Sequence, residues 1–335
     1  MATRIISQQK AVYVTPWDGS GGSDLKRVDT FSADTDVASA REDVRVFGQL
    51  ARLGVQYGSE IPCTVSVGYH LNDGTNETLI GLPVGNMASL FLADPQGTEL
   101  IVGAAVGAEG EDAFSTWTAA GIVGFGNAAV SSYSATFAVG EIPRADVEFS
   151  ASTMKASAGS TVAGVSVNDL NAPVGGLSAT QPSSGNFASL ALKPQDISVT
   201  ISSGADGELI SSSTELCVQS ATVELPLGRE SVECLGSSRP LKYIEFPINA
   251  TCSITANMQE YSDADLTSLA LGTKDAGTCD ITIQAAGAIG FELRGAVLDS
   301  QSISIGLDDA ETIEMTFSAQ IGGASNVDVG LFRLS

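Results

Sequence analysis

The sequence predicts a mainly β protein made of tandem duplicated antiparallel β-sandwich or barrel domains, each with a short helix. Three observations predict it. Apolar residues recur with period two, clusters of Gly, Asn, Asp and Ser separate the alternating runs, and motifs of the first half return in the second in the same order. Cys279, Ile281, Ile283 and Ala285 alternate with Asp280, Thr282 and Gln284. Ile313, Met315, Phe317 and Ala319 alternate with Glu314, Thr316 and Ser318, and Ala221, Val223 and Leu225 with Ser220, Thr222 and Glu224. Successive side chains of a strand face opposite ways, so runs of this kind form strands with one buried face. The separating residues are those that turns require. Helix signals are few. Ser262, with Asp265 three residues on and Leu266, Leu269 and Ala270 following, reads as an N-cap and a short helix stopped at Gly272. Ala38 to Leu53 is a weaker helix candidate, interrupted by Gly48.

The internal similarity sets the domain plan. Arg41-Glu42-Asp43-Val44 running to Gly48 resembles Arg229-Glu230-Ser231-Val232 running to Gly236, with Arg, Glu, Val and Gly shared. Cys63 follows Gly48 by 15 residues and Cys252 follows Gly236 by 16, each opening an alternating run. Val147-Glu148-Phe149-Ser150-Ala151 matches Met315-Thr316-Phe317-Ser318-Ala319, and Ala129-Val130 and Ala296-Val297 precede these at near-equal distances. Two β domains are therefore expected at 1–155 and 187–335. Cys63 to Phe149 spans 86 residues and Cys252 to Phe317 spans 65, which places an insertion in the first copy, around 86–111. The Ser-, Ala- and Gly-rich stretch 156–186 reads as a linker or an inter-subunit arm. A further likeness, Gly85 to Leu90 with Gly185 to Leu190, fits no part of this plan.

Composition excludes several functions. The 335 residues carry 16 Lys and Arg against 39 Asp and Glu, a formal net charge of −23. Residues 1–155 hold 9 basic and 18 acidic side chains and the remainder 7 and 21, so the acidity belongs to both copies rather than to a tail. A chain of this kind lacks the basic footprint that grips nucleic acid phosphates or an anionic membrane surface. Hydrophobic residues make up 43%, enough to build a core. The longest apolar candidate, Leu100 to Ala108, is broken by Gly103 and Gly107 and flanked by Glu99 and Glu109. It falls short of the about 18 apolar residues a spanning helix needs. The N-terminal stretch has no apolar core of a secretory signal. Five cysteines, Cys63, Cys217, Cys234, Cys252 and Cys279, form no CxxC pair and read as reduced, buried thiols in a reducing cytoplasm.

No motif carries catalytic chemistry. Gly124-Phe125-Gly126-Asn127-Ala128-Ala129 imitates a dinucleotide fingerprint, but that fingerprint needs a helix directly after the glycines, and Val130 to Phe137 alternates like a strand. His70 is the single histidine; no GxSxG nucleophile accompanies it, so it reads as a surface or interface residue. Asp34-Thr35-Asp36 and Asp263-Ala264-Asp265 lack the surrounding loop of a calcium site and read as turn and cap residues. Asn76-Glu77-Thr78 and Asn249-Ala250-Thr251 fit a glycosylation sequon, which carries no meaning without secretion. No catalytic, cofactor-binding or metal-binding residue is assigned, and no cofactor is expected.

The second copy resembles bacteriophage tail tube (major tail) proteins. The resemblance rests on Ala221 to Val232 with its Arg229-Glu230, then Leu235-Gly236, Pro240 and Tyr243-Ile244-Glu245-Phe246-Pro247, leading into the strand from Cys252 to Met258. The first copy keeps Arg41-Glu42, Val44, Phe47-Gly48 and Pro62 but has no aromatic-Pro pair. The resemblance implies domains of tail-tube type whose strands pair between subunits to close a ring around a β-barrel lumen. It implies stacked rings forming a conduit for DNA delivery into the host cell. A trimer with pseudo-sixfold symmetry is favoured over a hexamer. The implied partners are other copies of the chain, the tape measure protein, the tail terminator and distal tail proteins, with transient non-specific passage of DNA and no membrane. The implied location is the virion tail, assembled in the bacterial cytoplasm. The alternative is a capsid decoration or surface adhesin of tandem β-sandwiches.

Overall fold

A computed structural model gives the fold. It describes residues 10–14, 24–28, 30–38, 41–48, 50–57, 63–82, 84–87, 98–106, 119–151, 153–157, 161–162, 177–179, 191–203, 207–211, 216–232, 235, 241–244, 247–258, 278–285, 288–304, 312–321 and 328–334. The first half holds β1 (Lys10–Val14), β2 (Asp24–Val28), β3 (Ser32–Val37), β4 (Arg41–Val44), β5 (Gly54–Tyr57) and β6 (Cys63–His70). After helix α1 (Thr75–Leu79) come β7 (Gly85–Asn86), β8 (Thr98–Val106), β9 (Ala119–Ala138), β10 (Arg144–Ala151) and β11 (Thr153–Ser157). Then follow β12 (Thr161–Val162) and β13 (Leu177–Ala179). The second half holds β14 (Ile197–Ser203), β15 (Gly207–Ser211), β16 (Leu216–Pro226), β17 (Arg229–Val232), β18 (Leu241–Ile244) and β19 (Asn249–Met258). It ends with β20 (Cys279–Ala285), β21 (Gly290–Ser304), β22 (Thr312–Gln320) and β23 (Gly330–Leu334). The protein is mainly β and almost wholly antiparallel, as the alternation predicts; nineteen strands share one hydrogen-bonded network.

Eight strands form its main row, in the order β3-β6-β10-β9-β16-β19-β22-β21. Alternation decides its faces. In β10, Ala145, Val147, Phe149 and Ala151 are buried while Arg144, Asp146 and Glu148 are exposed; in β22, Ile313, Met315, Phe317 and Ala319 are buried. The apolar side of the row lies against a second layer. There β9 and β21, both long, leave the main row and pair with β8 and β20. Beyond these stand β1 with β2, and β14 with β15. Phe291 of β21 packs under Tyr133 and Phe137 of β9, with ring centroids 6.0 and 6.1 Å apart. Burying a large apolar side chain of this kind contributes about 1.5–3 kcal/mol, so the many such residues along these strands are what hold the layers together.

The ladder order of the first half recurs in the second. β3-β6-β10-β9 is answered by β16-β19-β22-β21, β2-β1-β8-β9-β11 by β15-β14-β20-β21-β23, and the separate hairpin β4–β5 by β17–β18. The bulges recur too. Glu148 faces Ser132 and Phe149 faces Val130, skipping Ser131; Thr316 faces Ser300 and Phe317 faces Leu298, skipping Asp299. A second slip falls between Thr98 and Leu100 on β8 and between Cys279 and Ile281 on β20.

The ladders correct three sequence expectations, the Cys63 and Ala129 alignments and the helix at Ala38 to Leu53. Phe149 pairs with Val65 but Phe317 pairs with Cys252, so Val65 and not Cys63 holds the place of Cys252. Likewise Ala128, facing Thr98, matches Ala296, facing Cys279, one residue from the expected alignment. The described residues of 38–53 form no helix: β4 folds back on β5, and Leu53 N donates to Val44 O at 2.8 Å, which a turn at Phe47-Gly48 allows. Most of the extra length of the first half lies in the β8–β9 arm. Facing residues Leu100 and Phe125 are 25 positions apart, against 12 for Ile281 and Leu293. Within 156–186, β13 pairs parallel with β2 of the first half. The expected helix after Ser262 and the Gly185 to Leu190 likeness lie outside the described residues.

Candidate functional site

The outward side of the main row is a sheet of hydroxyls and carboxylates. Cross-strand pairs on it include Asp34 with Ser66, Ser66 with Glu148, Glu148 with Ser132, Ser134 with Glu224, Glu224 with Thr251 and Thr255 with Glu314. Asp34, Asp36, Asp146, Glu148, Glu224 and Glu314 are exposed on it; among the described residues the basic groups there are Arg144 and His70, at one end. Arg144 already pairs with Asp146 at 3.6 Å. Ser131 Oγ holds Glu148 Oε1 at 3.0 Å. The face is therefore negative and hydrophilic. Gly68 of β6 is closely packed on this face: a Cβ there would meet Ser32 Oγ at 2.5 Å and Asp146 Oδ1 at 2.9 Å.

Two strand edges of the row are open among the described residues. β3 pairs with β6 alone, and residues 297–304 of β21 pair with β22 alone. An open edge invites another strand. Val37 on one edge and Ile303 on the other are 40% and 47% exposed. Inside the chain the corresponding edges are already joined: β16 adds to β9 with Val223 facing Ala135 and Leu225 facing Tyr133, all four buried.

A third feature is the pair of hairpins. Both leave the row at the end where β3 and β16 finish, and Phe47 and Leu235 occupy the same place in them, six residues after Arg41 and Arg229. Both side chains stand fully in solvent, as does Leu50. Val44, Val46 and Leu53 of the first hairpin are exposed apolar side chains as well.

The motifs weighed in the sequence lie on separate elements. The Gly124-Phe125-Gly126 run is mid-strand in β9, with no helix after it. His70 ends β6, and its ring lies against that of Phe31 with centroids 4.8 Å apart. Asp34 and Asp36 lie on β3 rather than in a loop. Asp263, Asp265 and Cys234 lie outside the described residues. Among the described residues no three His, Cys, Asp or Glu side chains gather as a metal site, and no helix is long and apolar enough to cross a membrane. Cys63, Cys252 and Cys279 are buried and form no disulfide, while Cys217 is partly exposed and accepts a hydrogen bond from Gln219 Nε2 at 3.3 Å. Burial, with Cys279 beside it, pushes the Cys252 thiol up to about 12, and burial with Asp280 nearby does the same to Cys279.

Sequence reasoning missed Glu77. It sits on α1, fully buried, and Tyr133 Oη donates to its Oε1 at 3.3 Å. Its only visible sequence signal was a glycosylation-like triplet, which says nothing of burial. No known protein family matches the sequence, and no curated protein matches it either.

Proposed function

We propose that the chain is a structural tail-tube subunit: two duplicated β-sandwich domains that join copies edge to edge into rings, which stack into an acidic-lined conduit for DNA. The observation that carries this reading is the β9–β16 ladder. It fuses the two halves into one row while leaving the equivalent strands, β21 and β3, free at its ends. Through the matched ladders, Thr35 stands where Val223 stands and Ile303 where Ala135 stands. Repeating the internal junction between copies therefore pairs Thr35 with Ile303 and Val37 with Gln301, and covers the exposed Val37 and Ile303. Ring closure leaves no open edge.

The same repetition places every hydroxyl- and carboxylate-bearing face on one wall. A wall of this kind suits a lumen through which DNA slides, because basic contacts would create a salt-dependent trap. Repulsion acts only within roughly 8 Å at physiological salt, so these carboxylates would centre the duplex rather than repel it at range. The apolar tips at Phe47, Leu50 and Leu235 supply a surface for the next ring. The remaining partners, a tape measure protein, a tail terminator and distal tail proteins, follow from the tail reading, as does location in the virion tail. No catalytic role is part of it.

The test is a cysteine pair. The double variant Thr35→Cys, Ile303→Cys, oxidised under native conditions, is expected to give a ladder of disulfide-linked oligomers, with neither single variant nor the wild type doing so. Monomers alone after oxidation would overturn the edge-to-edge assembly and favour a decoration protein of separate sandwiches.

A further inference from the structure

The main row has unlike ends. Both hairpins leave it where β3 and β16 finish. At the opposite end β9 finishes and β16 starts: Ser220 faces Ala138, and Val139 N donates to Gln219 O at 2.9 Å. There a cleft of about 200 Å³ lies between this junction and β14. Phe137, Val139, Ile197, Val199 and Val218 line it, together with the Cys217 thiol. Val139 is 64% exposed and Cys217 is partly exposed, so the cleft is reached from outside. It is smaller than the roughly 300–1,000 Å³ of a small-molecule site, and suits one or two side chains instead.

The two ends differ in charge as well. Residues 41–57 carry Arg41, Arg45 and Arg52 against Glu42 and Asp43, in a chain of 16 basic and 39 acidic side chains. The first hairpin is thus locally basic as well as apolar at its tip. Beside the cleft, Glu141 and Asp196 are exposed close to Val139 and Ile197 in the sequence, as is Lys193. A head-to-tail contact needs two different patches that fit each other, and its repetition builds an open stack rather than a closed pair.

We propose that this cleft is the socket for the first hairpin of a second copy of the chain. Phe47 and Leu50 of one copy seat in the cleft of the next, and Arg45 and Arg52 approach its Glu141 and Asp196. Taking these two fully exposed side chains out of water drives the contact, and the opposite charges set its register. The inference rests on the tube reading and names the surface on which each further ring stands.

A short bismaleimide tests it on the assembled full-length chain in a Cys234→Ser background. With Cys63, Cys252 and Cys279 buried, Cys217 and an introduced Phe47→Cys are the thiols open to the reagent. The expected product is a chain-to-chain link between positions 47 and 217, identified by mass spectrometry of the joined peptides. Adding Val139→Asp, at an exposed position, should lower its yield about tenfold by setting a charge in the cleft. The Thr35→Cys, Ile303→Cys ladder is run beside it. Edge-linked ladders with position 47 unlinked, or linked to position 47 of another copy, would overturn the socket and leave the rings standing. A 47–217 link without edge ladders would uphold the socket and remove the rings. Loss of both products would overturn both. An unchanged yield in Val139→Asp would also overturn the socket.

Discussion

Phe149 and Phe317 show how much one position carries. Each sits next to a bulge, each faces the inward residue of the neighbouring strand, and each is essentially without solvent contact. Phe149→Ala and Phe317→Ala are expected to cost about 3–5 kcal/mol apiece, read as the shift in urea midpoint at constant m. Exposed Ser66→Ala on the other face should change the midpoint little. The thiols offer a second residue-scale prediction. With Cys252 and Cys279 pushed up to about 12 by burial, almost no thiolate exists at pH 8. Native protein should leave both unlabelled by a thiol reagent under conditions where Cys217 reacts, and denatured protein should label all three. Labelling of native Cys252 at the rate of Cys217 would mean that the strand β19 does not lie in the core as described.

At the scale of elements, the strands were legible and their company was not. Period-two runs such as Cys279 to Ala285 and Ile313 to Ala319 announce themselves, because a sheet with one dry face imposes that alternation residue by residue. Register is another matter. Cys63 looked like the counterpart of Cys252, yet the ladder places Val65 there, because any inward position on these strands accepts a small apolar side chain. The stretch 38–53 carried helix-like spacing, and pairing between β4 and β5 overrode it. Glu77 was beyond reach from sequence, since its surroundings come from Tyr133 and from Arg333, whose hydrogen bonds to Thr78 and Leu82 bridge 255 and 251 positions. The hairpins yield the prediction at this scale. Phe47 and Leu235 touch solvent on all sides, so Phe47→Ser with Leu235→Ser should leave the melting temperature within about 1 °C, surface changes usually costing under 0.5 kcal/mol. On the tube reading the same double variant should still form single rings but fail to lengthen into tubes; a melting temperature lowered by several degrees would instead assign the tips a role within the fold.

At the scale of the whole molecule, charge, edges and tips point in three directions that one assembly can satisfy together. The polar face lies along the row, the open edges at its two sides, and the apolar tips at its end. On the tube reading, a ring closed through the edges would turn the face to one wall and the tips toward the next ring. The net charge of −23 by itself decides little, since much of it serves solubility. What matters is where Asp34, Asp36, Asp146, Glu148, Glu224 and Glu314 stand once the edges are joined. The most direct measurement is an electron cryomicroscopy reconstruction of the assembled full-length chain. The account predicts stacked rings in which β3 of each copy lies beside β21 of its neighbour, with those six carboxylates on the inner wall. An inner wall lined by Lys and Arg, with the carboxylates on the outside, or β3 and β21 left unpaired in the particle, would contradict it.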